Sequence, residues 1–177
     1  MAAGNSERSR FVPPPCEVPA VTDFLPTRIR PAVLDDIPDL IELLAGLFAI
    51  ESDFVPNRAR QRRGLELLLA QPTDRARVLV ACSGKAIAGM ASGQLVVSTA
   101  EGAVSAWIED VVVQESLRRR GIAKGLLHGL LDWAAYHGAT RAQLLADKDN
   151  ATALDFYRHL GWRQTQLSAW RHSLHAH

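Results

Sequence analysis

The sequence predicts an α/β domain: a mixed sheet of about six to seven strands with helices on both faces. Three observations predict it. Apolar residues recur at helical spacing early in the chain and change to alternation from Ala76 onward. Three alternating runs follow, joined only by short links around Ser83-Gly84 and Glu101-Gly102, and such links demand antiparallel neighbours. A strong amphipathic helix then separates two further strand-like runs, and that order requires a parallel pair. A sheet of both kinds buries its two faces under helices.

The elements follow in order. Residues 27–32 read as a short strand whose Pro31 suits a strand end or edge. Asp35 is the expected N-cap of the first helix, with Asp36 and Pro38 inside its first turn. Ile37, Leu40, Ile41, Leu44, Leu47 and Phe48 give that helix one apolar face. A second helix follows Pro56, rich in arginine at Arg58, Arg60, Arg62 and Arg63, and stops at Gln71-Pro72. Strands are expected over residues 77–82, 86–97 and 104–113. Ala123, Leu126, Leu127, Leu130, Leu131 and Ala134 then form the strongest helical stripe, closed by Gly138. A strand over 142–146, a helix over 150–160 ended by Gly161, and two short strands within 162–174 complete the expected fold.

Composition excludes more than it selects. The chain has 177 residues, 20 basic against 19 acidic, for a net charge of +1. That balance argues against a polycationic nucleic-acid coat and against an acidic disordered tail. The longest charge-free run, residues 86–100, is fifteen residues and falls short of the ~20 a membrane helix needs, so a soluble chain without a membrane partner is expected. Two cysteines, Cys16 and Cys82, make no disulfide framework, and the histidines show no metal-binding spacing. No metal is therefore expected, and a reducing, cytoplasmic setting is. Residues 1–26 hold five of the nine prolines and read as a flexible lead-in, leaving 27–177 as one domain.

The most informative stretch is WIEDVVVQESLRRRGIAK, residues 107–124. A strand ends at Val113, a loop carries Arg118, Arg119 and Arg120, and a helix opens near Gly121. Helix N-termini present unpartnered N–H groups and the positive end of the dipole, so this junction is an anion cradle. Gly121 removes a Cβ that would hold a phosphate away, and Lys124 adds a cation. Neither a Walker loop nor G-x-G-x-x-G is present.

The loop has the form R-x-x-G-x-A through Arg118, Gly121 and Ala123, and about 30 residues later comes NATALDFYRHLGW, residues 150–162. This pairing resembles the GNAT superfamily of acetyl-coenzyme A-dependent N-acetyltransferases. The resemblance implies acetyl-CoA as cosubstrate and an amine as acceptor, brought together in a ternary complex. It implies a sheet splayed in the middle, with the main chain of Val111, Val112 and Val113 pairing with the pantetheine arm. The N–H groups of Arg118, Arg119, Arg120, Gly121, Ile122 and Ala123 would hold the pyrophosphate, with Lys124 beside them. Asn150 would bond the coenzyme or a nearby loop, and Tyr157 would protonate the leaving thiolate. A core aromatic packed beside Phe156 is the other reading of Tyr157.

Glu109 and Asp110 are neighbours on a strand, so alternation turns only one toward the cleft. The resemblance favours Glu109, as base or as a charge that attracts the amine; pairing with a distant cation is the other reading. Phe48, Glu51, Asp53 and Phe54 lie in the turn between the first two helices, where GNAT proteins build the acceptor wall, though a helix end with core aromatics reads equally well. A small cationic amine is the expected acceptor. A protein or peptide amine, and a non-catalytic CoA-binding sensor, stay open as alternatives; nucleic-acid binding does not fit the charge. GNAT folds often dimerise through their last elements, and Trp170 on an expected edge strand points to a homodimer.

Overall fold

The computed structural model describes residues 27–51 and 53–174. Five strands form one sheet in the order β1-β2-β3-β4-β5: β1 Arg28–Pro31, β2 Ala76–Ser83, β3 Ala86–Ser98, β4 Ala103–Val113 and β5 Ala139–Leu144. The first four are antiparallel, as the short links require for β2, β3 and β4, while β1 returns to pair with β2 after two helices; β4 and β5 are parallel across the intervening helix.

Two cores follow from the two faces. Helices α1 (Ile37–Phe48) and α2 (Arg58–Leu69) pack on Val78, Val80, Ile87, Met90 and Val112. Helix α3 (Ile122–Tyr136) covers the other face, packing Leu126, Leu127 and Leu130 on Leu79, Ala91, Ala106 and Ile108. Helix α4 (Ala151–His159) joins this second core through Phe156 and Tyr157. Each fully buried leucine contributes roughly 1.5–3 kcal/mol. Two such layers fix β4, buried from both sides at Val112 and Val113.

The entry to α1 differs from the expected cap. The cap residue is Asp36, not Asp35, after a 3₁₀ turn at Leu34–Asp36. Its carboxylate turns back, accepting from the Val33 N–H at 2.8 Å and from both Arg30 guanidinium nitrogens at 2.7 and 2.8 Å. The hydrogen bonds from Arg30 hold the Asp36 carboxyl below the usual carboxylate range. This fork ties β1 to the helix that follows.

Two further expectations are corrected. The last strand pair within 162–174 is not formed, so the described sheet has five strands. Leu167, Trp170 and Leu174 are spaced by three and four rather than two, offer no single strand face, and are exposed. Strand β5 begins at Ala139 and ends at Leu144, earlier than 142–146, because its pairing with β4 stops at Ile108↔Leu144. The proline-rich stretch 1–26, with Cys16, lies outside the described residues.

Candidate active site

Strand β4 is paired on both edges for half its length and on one edge for the rest. From Val104 to Ile108 it pairs with β5; beyond that β5 has ended, while β4 continues to Val113. Among the described residues no strand continues along the edge of β4 that faced β5, which leaves that edge open to a ligand. Gln114 N–H bonds Ala88 O of β3 at 2.8 Å, so alternation turns the N–H of Val113 to the open side. This is the splay that the resemblance implied.

The same stretch carries a bulge. Between Met90↔Val112 and Ser92↔Glu109, β4 takes three residue steps against two on β3. Asp110 absorbs the extra residue at φ 52°, a left-handed conformation costing roughly 1–2 kcal/mol that short polar side chains tolerate best. Gly89 pairs with Val113, just beyond the bulge. A Cβ there would fall 2.7 Å from Val112 O, so the bulge requires glycine at this contact.

The bulge undoes the alternation argument. Both Glu109 and Asp110 line one cleft, with Glu51, Asp147, Asn150 and Tyr157. Glu109 is exposed, and its Oε1 accepts from Trp107 Nε1–H at 3.0 Å. Asp110 is half-buried and accepts from the buried Ser92 Oγ–H at 3.0 Å. Burial pushes the Asp110 carboxyl up to about 6; the Ser92 bond opposes this and the Glu109 charge adds to it. Sequence reasoning passed over Asp110 because an extra residue in a strand leaves no periodic mark. The nearest signals were Gly89 on the facing strand and the acidic doublet itself.

Glu51 reaches the cleft from the α1–α2 segment. Burial, then the charges of Asp110, Asp147 and Asp53, raise its carboxyl above the usual range. Asp147, on the loop after β5, was another contributor that the sequence did not single out. Tyr157 is likewise raised by burial and by Glu51. Its ring contacts Phe156 and Trp162 at centroid distances of 5.4 and 6.0 Å, so it is both a packing aromatic and a cleft residue. Asn150 caps α4, its Oδ1 accepting from Ala153 N–H at 3.0 Å. Phe48, Asp53 and Phe54 lie outside the lining, and the two rings face each other at 5.1 Å.

Below the open edge, the chain passes through a 3₁₀ turn at Glu115–Leu117 into the arginine loop. Arg119 has φ 62° and Gly121, the cap of α3, has φ 77°. The first helical bond runs from Gly125 N–H to Gly121 O at 2.9 Å. The N–H groups of Gly121, Ile122, Ala123 and Lys124 therefore have no acceptor within the helix. The backbone gives glycine a second reason at this position: Gly121 is left-handed, and a Cβ there would meet no protein atom within 4 Å. Arg118 Nε donates to Val113 O at 3.3 Å and Arg120 Nη2 to Ser116 O at 3.1 Å, so these arginines also tie the loop to itself. Ile122, Val112 and Val113 bury their side chains, leaving the main chain for ligands. The fit to a pantetheine arm and pyrophosphate is good, since both would be met by backbone groups.

Among the described residues no group of three His, Cys, Asp or Glu side chains is placed to hold a metal ion. Among them, too, no helix is long and apolar enough to cross a membrane.

Residues 42–162 match the model of the acetyltransferase (GNAT) family. An aminoglycoside acetyltransferase from an uncultured soil metagenomic sample, solved with sisomicin, is 24% identical at a TM-score of 0.68, over 84% of this chain and 97% of that one. Glucosamine-6-phosphate N-acetyltransferase from Arabidopsis thaliana is 21% identical at 0.66, over 83% and 98%. A transcriptional regulator from Bacillus halodurans C-125 is 24% identical at 0.71, over 83% and 99%. These three likenesses are of fold. No curated protein matches the chain.

Proposed function

The chain belongs to the acetyltransferase (GNAT) family, and on that premise we propose that it moves an acetyl group from acetyl-CoA to a primary amine of a small cationic molecule. The observation that carries the reading is the meeting of Asp110, Glu51, Asp147 and Tyr157 in one cleft beside the open edge of β4. An acidic cleft attracts an ammonium and disfavours a phosphate-bearing acceptor. Of the acceptors named for the fold relatives, an aminoglycoside suits such a cleft better than a sugar phosphate.

In this reading the thioester lies along the open edge of β4, its carbonyl polarised by main-chain donors at Val111 and Val113, with the pyrophosphate on the N-terminus of α3. The neutral amine nitrogen attacks the carbonyl carbon, and the C–S bond then breaks. As the N–C bond forms, the nitrogen becomes far more acidic, and Asp110, rather than Glu109, takes its proton. A carboxyl lifted to about 6 is a better base than an ordinary one and is still mostly ionised at pH 7. Tyr157, a weaker acid than an ordinary phenol, hydrogen-bonds the departing sulfur and relays the proton that makes the thiol. Homodimerisation belongs to the same proposal, supported by Trp170 at 94% exposure; light scattering tests it.

Thiol release from acetyl-CoA over a panel of polyamines, aminoglycosides, amino-sugar phosphates and lysine peptides tests the function. Turnover is expected with the polycations first. Thermal stabilisation by CoA with no thiol release for any amine would mean a binding module instead, and preference for peptides would overturn the small-molecule acceptor.

A further inference from the structure

The segment after α4 was expected to form strands and does not, yet it is not without contacts. It crosses to the α1–α2 segment, 118 residues away in sequence, where Arg171 Nη1 donates to Asp53 O at 3.3 Å. The guanidinium carbon of the same residue lies 4.8 Å from the centroid of the Phe54 ring. Phe54 in turn faces Phe48, the last residue of α1, at 5.1 Å. One arginine thus holds both the main chain and the side chain of adjacent residues, using a planar group suited to both tasks.

What it holds leads into the cleft. Phe54 N–H bonds Glu51 O at 3.3 Å, so the residues gripped by Arg171 close a turn on Glu51. Glu51 is the cleft carboxylate facing Asp110 and Asp147, whose charges raise it and repel it. A carboxylate among like charges needs an outside restraint to stay in place, because its own electrostatics favour withdrawal. The described residues of this stretch are little buried: Val55 is 86% exposed, and Ile50 and Phe54 are exposed as well.

We propose that Arg171 is a positioning residue, and that the C-terminal segment is a strap holding the 49–57 loop so that Glu51 stays in the acceptor cleft. This rests on the reading that the cleft binds a cationic amine. The strap sets acceptor affinity and leaves acetyl-CoA binding alone, since its grip is on Asp53 and Phe54 of the segment that bears Glu51.

Hydrogen exchange on the full chain, followed on peptides covering residues 48–57, tests the strap without activity. Arg171→Ala is expected to speed exchange there about two- to fivefold, the worth of an exposed cation–π contact, with β4 unchanged. Phe54→Ala should speed it as well, the double variant should fall short of the product of the two effects because they share the cation–π contact, and Arg171→Lys should recover part of the protection. In turnover, Arg171→Ala should raise the acceptor KM by a similar factor with kcat and the acetyl-CoA KM unchanged. Exchange at the wild-type rate in Arg171→Ala, or additive effects in the double variant, would overturn the strap even in an active enzyme. The expected exchange pattern in a chain that acetylates no amine would keep the strap and remove the functional reading.

Discussion

The two halves of the site solve the same backbone problem in opposite ways. Both depend on left-handed residues, Asp110 at φ 52° in the cleft and Arg119 and Gly121 at 62° and 77° in the cradle. In the proposed reading the unusual backbone of the cradle aims N–H groups at the pyrophosphate, and the side chains matter little. In the cleft it aims a side chain, and the carboxylate is the point. Backbone sites should therefore tolerate substitution that keeps φ, whereas the cleft should fail at the loss of one oxygen's charge.

Asp110→Asn is the sharpest way to break that comparison. Asparagine keeps the shape, tolerates the left-handed conformation and can still accept from Ser92. We expect kcat to fall by about 10²–10⁴, the usual worth of a positioned acid or base. Stability should move the other way. A carboxyl raised from 3.8 to about 6 by folding stabilises the folded state fully below 3.8 and loses that contribution as pH rises through about 6. At pH 7 the buried charge thus costs up to about 3 kcal/mol, a two-unit shift at roughly 1.4 kcal/mol each. Asp110→Asn should melt higher than wild type at pH 7 and nearly equal to it at pH 3. Its kcat/KM should also lose the rise through about pH 6 that the wild type is expected to show. Thermal melts and a pH–rate profile check both signs.

Tyr157→Phe comes next, with an expected loss of about tenfold to a hundredfold in kcat. The effect is smaller because a thiolate leaves tolerably without protonation, and a phenol raised by burial gives up its proton reluctantly. A chain of nearly wild-type rate would make Tyr157 a packing residue beside Phe156 and Trp162.

The comparison also explains what could be read in advance. The cradle was legible because its signal is local: an apolar strand, a glycine and a helical stripe lie within residues 107–134. The second motif was legible for the same reason, since Asn150 caps the helix that carries Tyr157. Glu51 was found by its place in the turn, but Phe48 and Phe54 pack on each other rather than in the cleft. Asp110 and Asp147 were missed because their placement depends on a bulge and on where β5 stops, and both are properties of strand pairing. The strands expected after Trp162 failed for a related reason. Strand-like residue types were present there without the period of two that gives a strand a face to bury.

Gly121→Ala tests the cradle. No protein atom obstructs the added methyl, so the cost to folding is conformational: about 1–2 kcal/mol of stability for a left-handed alanine. If the backbone relaxes instead, the N–H groups turn away. Acetyl-CoA KM should then rise severalfold with the acceptor KM unchanged, the mirror of what the acceptor cleft predicts. Gly121→Asn, which tolerates the same φ, should recover most of the loss. A uniform fall in kcat from both variants would show that the residue serves the chemistry and not the cradle.

Glu109→Gln is expected to do least, and it decides between neighbours. The two carboxylates line the same cleft one residue apart, so proximity alone does not separate them. Solvation does. Glu109 is exposed and already accepts from the Trp107 indole, whereas Asp110 sits deeper in the cleft on the buried Ser92 hydroxyl. Its charge raises Asp110, so removing it should lower the lower limb of the pH–rate profile slightly while leaving kcat within about threefold. A shift of that limb to higher pH would contradict the sign of the coupling. A loss as large as that of Asp110→Asn would return the proton to Glu109, and the bulge would then serve to shape the cleft, with no base of its own to present.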